Sequence, residues 1–336
     1  MSADAVRPHA VRPHAVRPLR LGVLGCADIA RRRMLPSLER QPLVEVTAVA
    51  SRTSEKARQF TDLFGGTPVE GYERLLERDD VDAVYIPLPP EMHVEWTLRA
   101  LAAGKHVLCE KPFATSLADA EKAVAFARER GLLLMEGFMF LHHSQHARVR
   151  ELVADGLIGE VQLFSSEFGI PLRPAAEPGG TPRRASTLPE VAAYPIRAAQ
   201  LFLGPGLRVA GAQERPASAY GPSPAGSALL VSPSGAAAQL AYGVEHAYIS
   251  GYGLWGSRGR LRLERAFSTP DDFTPVLKVE RDGEVSEMAL DKDHHFTNIA
   301  GVFARAVLHG EDFAPHAEAI LDHARLVEEV ERAAGR

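Results

Sequence analysis

The stretch Leu19-Arg-Leu-Gly-Val-Leu-Gly-Cys-Ala-Asp-Ile-Ala30 decides the fold. Residues Leu19 to Gly25 form a short apolar run closed by a glycine, and a helical pattern with Leu35 and Leu38 turned inward follows. A strand that turns through glycine into a helix opens a dinucleotide-binding unit, because backbone amides and a missing side chain let a pyrophosphate approach. The spacing here is Gly25-x-Ala27-x-x-Ala30, with alanine where the motif prefers glycine. On this reading Gly25, Cys26, Ala27, Asp28 and Ile29 line the cofactor turn; a buried strand entering a helix without any ligand gives the same pattern.

A second apolar run, Val44 to Ala50, begins about 20 residues after the glycine and completes a strand–helix–strand unit of ordinary length. An NAD site usually carries an acidic residue at the end of this strand to bind the ribose 2′-hydroxyl. This chain has Ser51-Arg52-Thr53 instead. A permanently charged, forked guanidinium and two hydroxyls suit a 2′-phosphate, so the expected cofactor is NADP(H), with a solvated polar loop as the alternative. Helix and strand signals then alternate: Ser54 to Phe64 helical, a strand near Pro68, Tyr72 to Arg78 helical, Ala83 to Pro87 a strand and Glu91 to Ala103 helical. His106 to Cys109 reads as a strand, Leu117 to Arg130 as a helix capped by Gly131, and Leu132 to Met135 as a strand. Such alternation requires an α/β, doubly wound parallel sheet with helices on both faces.

Composition excludes several classes. Among 336 residues, 38 Lys+Arg face 43 Asp+Glu, a net charge of −5 that argues against a general nucleic-acid binder. Apolar residues make up 46% of the chain, enough for two ordinary cores, yet no apolar stretch approaches the ~20 residues of a membrane span. The N-terminus repeats Ala-Val-Arg-Pro-His and lacks the apolar core of a signal peptide. Its recurrent prolines favour an extended or disordered arm over residues 1–18. Cys26 and Cys109, the two cysteines, lie in apolar segments away from metal-ligand spacing, which makes the cytoplasm the expected compartment.

At Glu110-Lys111-Pro112 the chain resembles the Gfo/Idh/MocA oxidoreductases, whose Glu-Lys-Pro signature follows the fifth strand of the nucleotide-binding domain. Three further strings agree with that family: Gly22 to Ala30, Ile86-Pro-Leu-Pro-Pro-Glu-Met-His93, and Glu136-Gly-Phe-Met-Phe140 leading to His143. Within the family the chain looks most like the NADPH-dependent C-3 ketoreductases of dTDP-linked keto-deoxysugars, with dihydrodiol dehydrogenases more distant. The resemblance places Leu88, His93, Glu110 and Lys111 at the cofactor and implies a cis Lys111–Pro112 peptide. It also implies a second domain built on a large, mostly antiparallel open sheet. The expected division is therefore 19–141 for NADP and 142–336 for substrate and self-association, as a homodimer or homotetramer. Runs at Val161 to Phe168, Ala228 to Ser232, Gln239 to Val244, Ala247 to Trp255, Arg260 to Leu263 and Val276 to Glu280 read as its strands. Two amphipathic helices close the chain, one carrying Phe296, Ile299, Phe303 and Val307, the other Ile320, Ala324 and Val327.

Lys111 is the first catalytic candidate. Most lysines after a strand are solvated, but ligands bind at the carboxyl ends of parallel strands, and an ammonium there stabilises the alkoxide formed as hydride reaches a carbonyl carbon. Tyr194 is the second, in Leu188-Pro-Glu-Val-Ala-Ala-Tyr-Pro-Ile-Arg197. Related enzymes carry Asp-x-Gly-x-His or Asp-x-Gly-x-Tyr there, and this chain departs with Glu190 and Ala192. A helix opened by Pro189 sets Glu190 and Tyr194 on one face. A lysine beside the phenol is expected to lower its pKa and suit it to proton donation; a packed structural tyrosine is the alternative. His142, His143 and His146 lack a supporting carboxylate or cysteine set, so no metal is expected. His294 and His295 read as surface residues near a helix start, Arg31 to Arg33 as a solvated face, and Met135, Phe138, Met139 and Phe140 as core. Arg173, Arg183 and Arg184 sit in a Pro/Gly-rich loop of a size to cover a diphosphate. The reading is a sugar ketoreductase acting on a nucleotide-linked keto sugar. A dehydrogenase of free sugars or dihydrodiols, a non-catalytic NADP(H) sensor and an assembly scaffold are the rivals.

Overall fold

In a computed structural model, residues 17–171, 188–215, 225–244 and 246–335 are described. The expectations for the N-terminal repeat and for Arg173, Arg183 and Arg184 fall outside them. The described residues form two sheets. The first is six-stranded and parallel, with spatial order β3-β2-β1-β4-β5-β6, comprising β1 (Leu19–Leu24), β2 (Val44–Ser51), β3 (Thr67–Glu70), β4 (Ala83–Ile86), β5 (His106–Cys109) and β6 (Leu134–Glu136). The order reverses beside β1, so the crevice over β1 and β4 is the switch point where ligands bind. The central strands are apolar without alternation because both faces are covered: every residue of β4 is buried. At the edge lies β3, four residues long and carrying Pro68 where no further strand needs its missing amide.

Local chemistry explains the helix boundaries. The Thr53 side chain caps α2 (Ser54–Phe64) by accepting from the Lys56 amide, and Ser116 caps α5 (Leu117–Arg130) through the Asp119 amide. Gly131 ends α5 in the left-handed conformation. The first helix is irregular, with a π-helical turn at Ala30–Met34 running into α1 (Leu35–Leu38). Between these lie α3 (Tyr72–Leu76) and α4 (Pro90–Ala102).

The second sheet has eight strands in the order β14-β13-β12-β11-β7-β10-β9-β8. They are β7 (Val161–Ile170), β8 (Arg208–Glu214), β9 (Ala225–Val231), β10 (Ala237–Val244), β11 (Ile249–Gly256), β12 (Gly259–Glu264), β13 (Val276–Arg281) and β14 (Glu284–Ala289). All pairings are antiparallel except β7 with β10. Side chains alternate: Phe164, Phe168, Tyr252, Leu254, Leu240 and Leu261 are buried on one face, against α7 (Leu188–Leu203) and α9 (Ala314–Ala333). The other face carries no helix among the described residues.

Three elements were not foreseen. Strand β14 is exposed throughout and has no apolar alternation, while β8 is broken by a glycine. Helix α6 (Ser144–Ala154) begins just where the histidines drew attention, and His143 is its N-cap. His142 therefore lies in a preceding 3-10 turn rather than on one helical face with His146. The C-terminal helices return to the first sheet: α8 (His295–His309) packs on α1, β1 and β2, and α9 packs on α5 and β6. The chain thus returns to the first sheet at two places, α8 over β1 and β2 and α9 at the β6 edge.

Candidate active site

The carboxyl ends of β1, β2, β4 and β5 gather the expected cofactor residues. Gly25 has φ +114°, and a Cβ on it would stand 2.7 Å from Leu88 Cδ2, so only glycine lets the first turn pass beneath the β4 loop. Cys26 points down to the Lys56 carbonyl at 3.6 Å and to Ser51, and burial raises its thiol pKa. The Asp28 carboxylate is held by Arg32 one turn on at 2.9 Å. Ser51 is buried at the end of β2, while Arg52 and Thr53 are exposed beside it. The guanidinium of Arg52 acts on Tyr72, which stands at the same turn and meets Trp96 edge-on at 4.9 Å. Tyr72, whose hydroxyl stands 3.9 Å from where a Gly25 Cβ would sit, was not singled out from the sequence.

His93 requires correction. Only 1% exposed, it places its ring nitrogens 2.8 Å from the Pro112 carbonyl and 2.7 Å from the Leu88 carbonyl, so the imidazole has no polar atom left for a cofactor. It ties the β4 loop to the β5 loop from below. Glu110 likewise turns inward: Tyr85 of β4 donates to its Oε1 at 2.7 Å and the Lys111 amide reaches Oε2 at 3.4 Å.

The Lys111–Pro112 peptide is cis, as the resemblance implied. Lys111 is half-buried, with Nζ 4.5 Å from the centre of the Tyr194 ring. Burial works against its charge, but Tyr194, Glu110 and Glu190 outweigh burial and raise its pKa, so it stands as an ammonium. Glu190 and Tyr194 both fall within α7, four residues or about one turn apart. Tyr194 is 6% exposed and ringed by Phe168 at 4.7 Å, Phe267 at 5.6 Å, Phe140 at 5.8 Å and Phe138 at 6.0 Å. This apolar collar overturns the expectation of a lowered pKa. Burial raises the phenol above its usual value and Lys111 only partly offsets it, so Tyr194 stays protonated at neutral pH.

Two groups behind the pair were not singled out as site residues. Glu136 receives the Phe113 amide at 2.8 Å, and Arg197, three residues beyond Tyr194, donates to Gln200 Oε1 at 3.2 Å. The histidines serve the fold. His146 meets the Tyr252 hydroxyl and the Ala266 carbonyl, both at 3.0 Å, and burial holds its pKa at about 3. His294 is on the surface against Asp271, whereas His295, expected there too, is buried. Met135, Phe138, Met139 and Phe140 are core. Among the described residues, no group of three or more His, Cys, Asp or Glu can hold a metal, and no helix is long and apolar enough to cross a membrane.

Replacing His93 by alanine strips two buried carbonyls of their shared partner and opens a cavity. Urea unfolding should show a loss of about 2–4 kcal/mol; a loss below about 0.5 kcal/mol would contradict the tie between the two loops.

Comparison with known proteins agrees with this geometry. Residues 19–138 match the model of the Gfo/Idh/MocA oxidoreductase family with NAD-binding Rossmann fold, and residues 146–262 match a Gfo/Idh/MocA C-terminal domain. A dTDP-3,4-didehydro-2,6-dideoxy-alpha-D-glucose 3-reductase of Actinomadura kijaniata is 49% identical over 318 residues, covering 93% of this chain and 94% of that protein. The crystal structure of a 3-ketoreductase from Actinomadura kijaniata with NADP and TDP-benzene aligns with a TM-score of 0.88 at 48% identity, over 94% of this chain and 98% of that one. That ketoreductase has also been solved with a lysine replaced by alanine or glutamate and with a tyrosine replaced by phenylalanine. An aldose-aldose oxidoreductase from Caulobacter crescentus aligns with a TM-score of 0.85 at 25% identity, over 95% and 99% of the two chains. With the switch-point crevice, the Lys111 turn and the open sheet in place, this chain belongs to the Gfo/Idh/MocA family of oxidoreductases.

Proposed function

We propose that the chain is an NADPH-dependent ketoreductase that reduces the C-3 keto group of a nucleotide-linked deoxysugar, a step of deoxysugar biosynthesis. The observation that carries the reading is the Lys111 ammonium lying over the ring of a protonated Tyr194 at the carboxyl end of β5. The 3-reductases among its relatives support the substrate class.

The residues present fit the cofactor. At Gly25 no Cβ stands against Leu88, which leaves room for a pyrophosphate to approach the turn. Ser51, Arg52 and Thr53 take the 2′-phosphate: Arg52 supplies charge, and the Thr53 hydroxyl, which accepts from Lys56, keeps its own proton to donate. NADPH, when bound, supplies the hydride. Lys111 donates to the keto oxygen and stabilises the negative charge that develops there, and the aromatic collar excludes the water that would screen that charge. Tyr194 then delivers its proton to the oxygen, which completes the alcohol. A phenol held above its usual pKa keeps that proton until an alkoxide, the stronger base, is beside it.

We further propose that residues 19–141 hold the cofactor and 142–336 the sugar, in a cytoplasmic homo-oligomer built on the uncovered sheet face. Strand register places Trp255, Leu163 and Ala237 in one row and Leu229, Gln239 and Ser165 in the next. Trp255 is 60% exposed and Leu229 41%, an apolar cost that a second copy relieves.

Three measurements test this reading. Arg52→Ala should weaken NADPH binding by about 1.5–3 kcal/mol while leaving NADH binding unchanged; equal affinities in the unmodified chain would contradict 2′-phosphate recognition. Lys111→Met should lower turnover by roughly two to three orders of magnitude with NADPH binding retained. Tyr194→Phe should cost a comparable factor, and near-parental rates in both would defeat the mechanism. Sedimentation at micromolar concentration should give a dimer or tetramer that Trp255→Lys dissociates; a monomeric parent would refute the interface.

A further inference from the structure

Two non-glycine residues among those described have a left-handed backbone, Asp282 at φ +54° and Arg265 at φ +52°. Asp282 precedes Gly283 in the two-residue turn between β13 and β14, where that conformation is ordinary. Arg265 is a long residue just past the end of β12, in no such turn, and its conformation persists only if its surroundings hold it. The buried Thr269 hydroxyl does so from one side, donating to the Arg265 carbonyl at 2.6 Å. On the other side the guanidinium lies 5.4 Å from the centre of the Tyr248 ring and 5.6 Å from that of Phe273. Tyr248 is itself fixed, its hydroxyl 2.6 Å from Ser268 Oγ. Arg265 is exposed, and among the described residues no carboxylate lies within 4.0 Å of its guanidinium. The clamped charge adjoins the reacting pair. Phe267, two residues on, stacks on the Tyr194 ring at 5.6 Å, and its amide donates to Ser250 Oγ at 3.0 Å. Beside Ser250, Ile249 pairs with Gly169, which follows Phe168, whose ring is 4.7 Å from that of Tyr194. Tyr248 and Arg265 are thus the exposed neighbours of two buried rings that collar the phenol.

We propose that Arg265 is a substrate-binding residue whose guanidinium, held between Tyr248 and Phe273, takes the diphosphate of the nucleotide-linked sugar. A sugar with its C-3 keto group at Lys111 and Tyr194 carries the diphosphate two ring carbons away, so the phosphates fall just outside the collar. The forked N–H groups match phosphate oxygens, and the charge is permanent. Two rings attract that charge without consuming any of its N–H donors, which stay available to the ligand. They also restrict the side chain beforehand, so less rotamer freedom is lost when the ligand binds. The left-handed backbone is retained because it sets the charge at this place.

The proposal rests on the ketoreductase reading, and thymidine diphosphate, whose binding needs no turnover, separates the two. Calorimetric titration of the full chain with NADP bound should show saturable binding of thymidine diphosphate and weaker binding of thymidine. Arg265→Gln should weaken thymidine diphosphate binding roughly tenfold or more, and leave the affinities for thymidine and NADPH within about twofold. Arg265→Lys should recover only part of the loss, because an ammonium brings charge without the fork. With a nucleotide-linked 3-keto sugar, Arg265→Gln should raise KM by a similar factor and hold kcat within about threefold, the pattern of a contact made equally in ground and transition states. Tyr248→Phe, which keeps the ring, should bind thymidine diphosphate at parental strength, and Tyr248→Ala several-fold more weakly. If Arg265→Gln does not fold, Arg265→Asn decides, since asparagine tolerates the left-handed backbone and carries no charge. Parental affinity for thymidine diphosphate in the folded variant, a loss that falls on NADPH instead, or no binding of thymidine diphosphate by the parent overturns the proposal. A parent that binds thymidine diphosphate through Arg265 yet reduces no keto sugar supports the proposal and defeats the ketoreductase reading alone.

Discussion

A charged lysine held against a tyrosine ring that is itself collared by four phenylalanines is the constraint from which the rest of the site follows. An ammonium taken from water is tolerated only where its surroundings compensate it. Here the ring face of Tyr194 and the carboxylates of Glu110 and Glu190 do so. Each compensating group is fixed in turn by another element: Glu110 by Tyr85 on β4, Glu190 and Tyr194 by α7 beneath the second sheet. The two sheets must therefore be mutually oriented for Lys111 to be charged where it is. The packing of α8 and α9 back onto the first sheet supplies that orientation.

The parallel sheet was legible because strands covered on both faces must be continuous apolar runs, and their helices must start and stop at recognisable caps. Ser54 to Phe64 and Leu117 to Arg130 were bounded as the structure has them, the second with Gly131 as its cap. Strand β14 was invisible for the converse reason: all six of its residues are exposed, so it holds its place by backbone pairing with β13 and leaves no apolar trace.

The same distinction divides the site. Lys111 follows directly from a local string, and Gly25 from a turn that only glycine can make. Glu136 and Arg197 lie 61 residues apart, and no local pattern marks either of them. The direction of the Tyr194 shift was misread for a related reason: a neighbouring lysine can be inferred from motifs, whereas the number of rings packed around a phenol cannot. His93 shows the opposite error. It was expected at the cofactor, yet the carbonyls of Leu88 and Pro112 occupy both of its nitrogens.

Lys111 and Tyr194 are held to act as one unit on one oxygen, with charge stabilisation and proton delivery coupled. A double-mutant cycle on kcat/KM, using Lys111→Met, Tyr194→Phe and the double variant, measures this directly. The account predicts that the double variant lies within about tenfold of the worse single variant, a coupling of at least about 2 kcal/mol. Losses that multiply through the cycle would show two groups working independently and would contradict it.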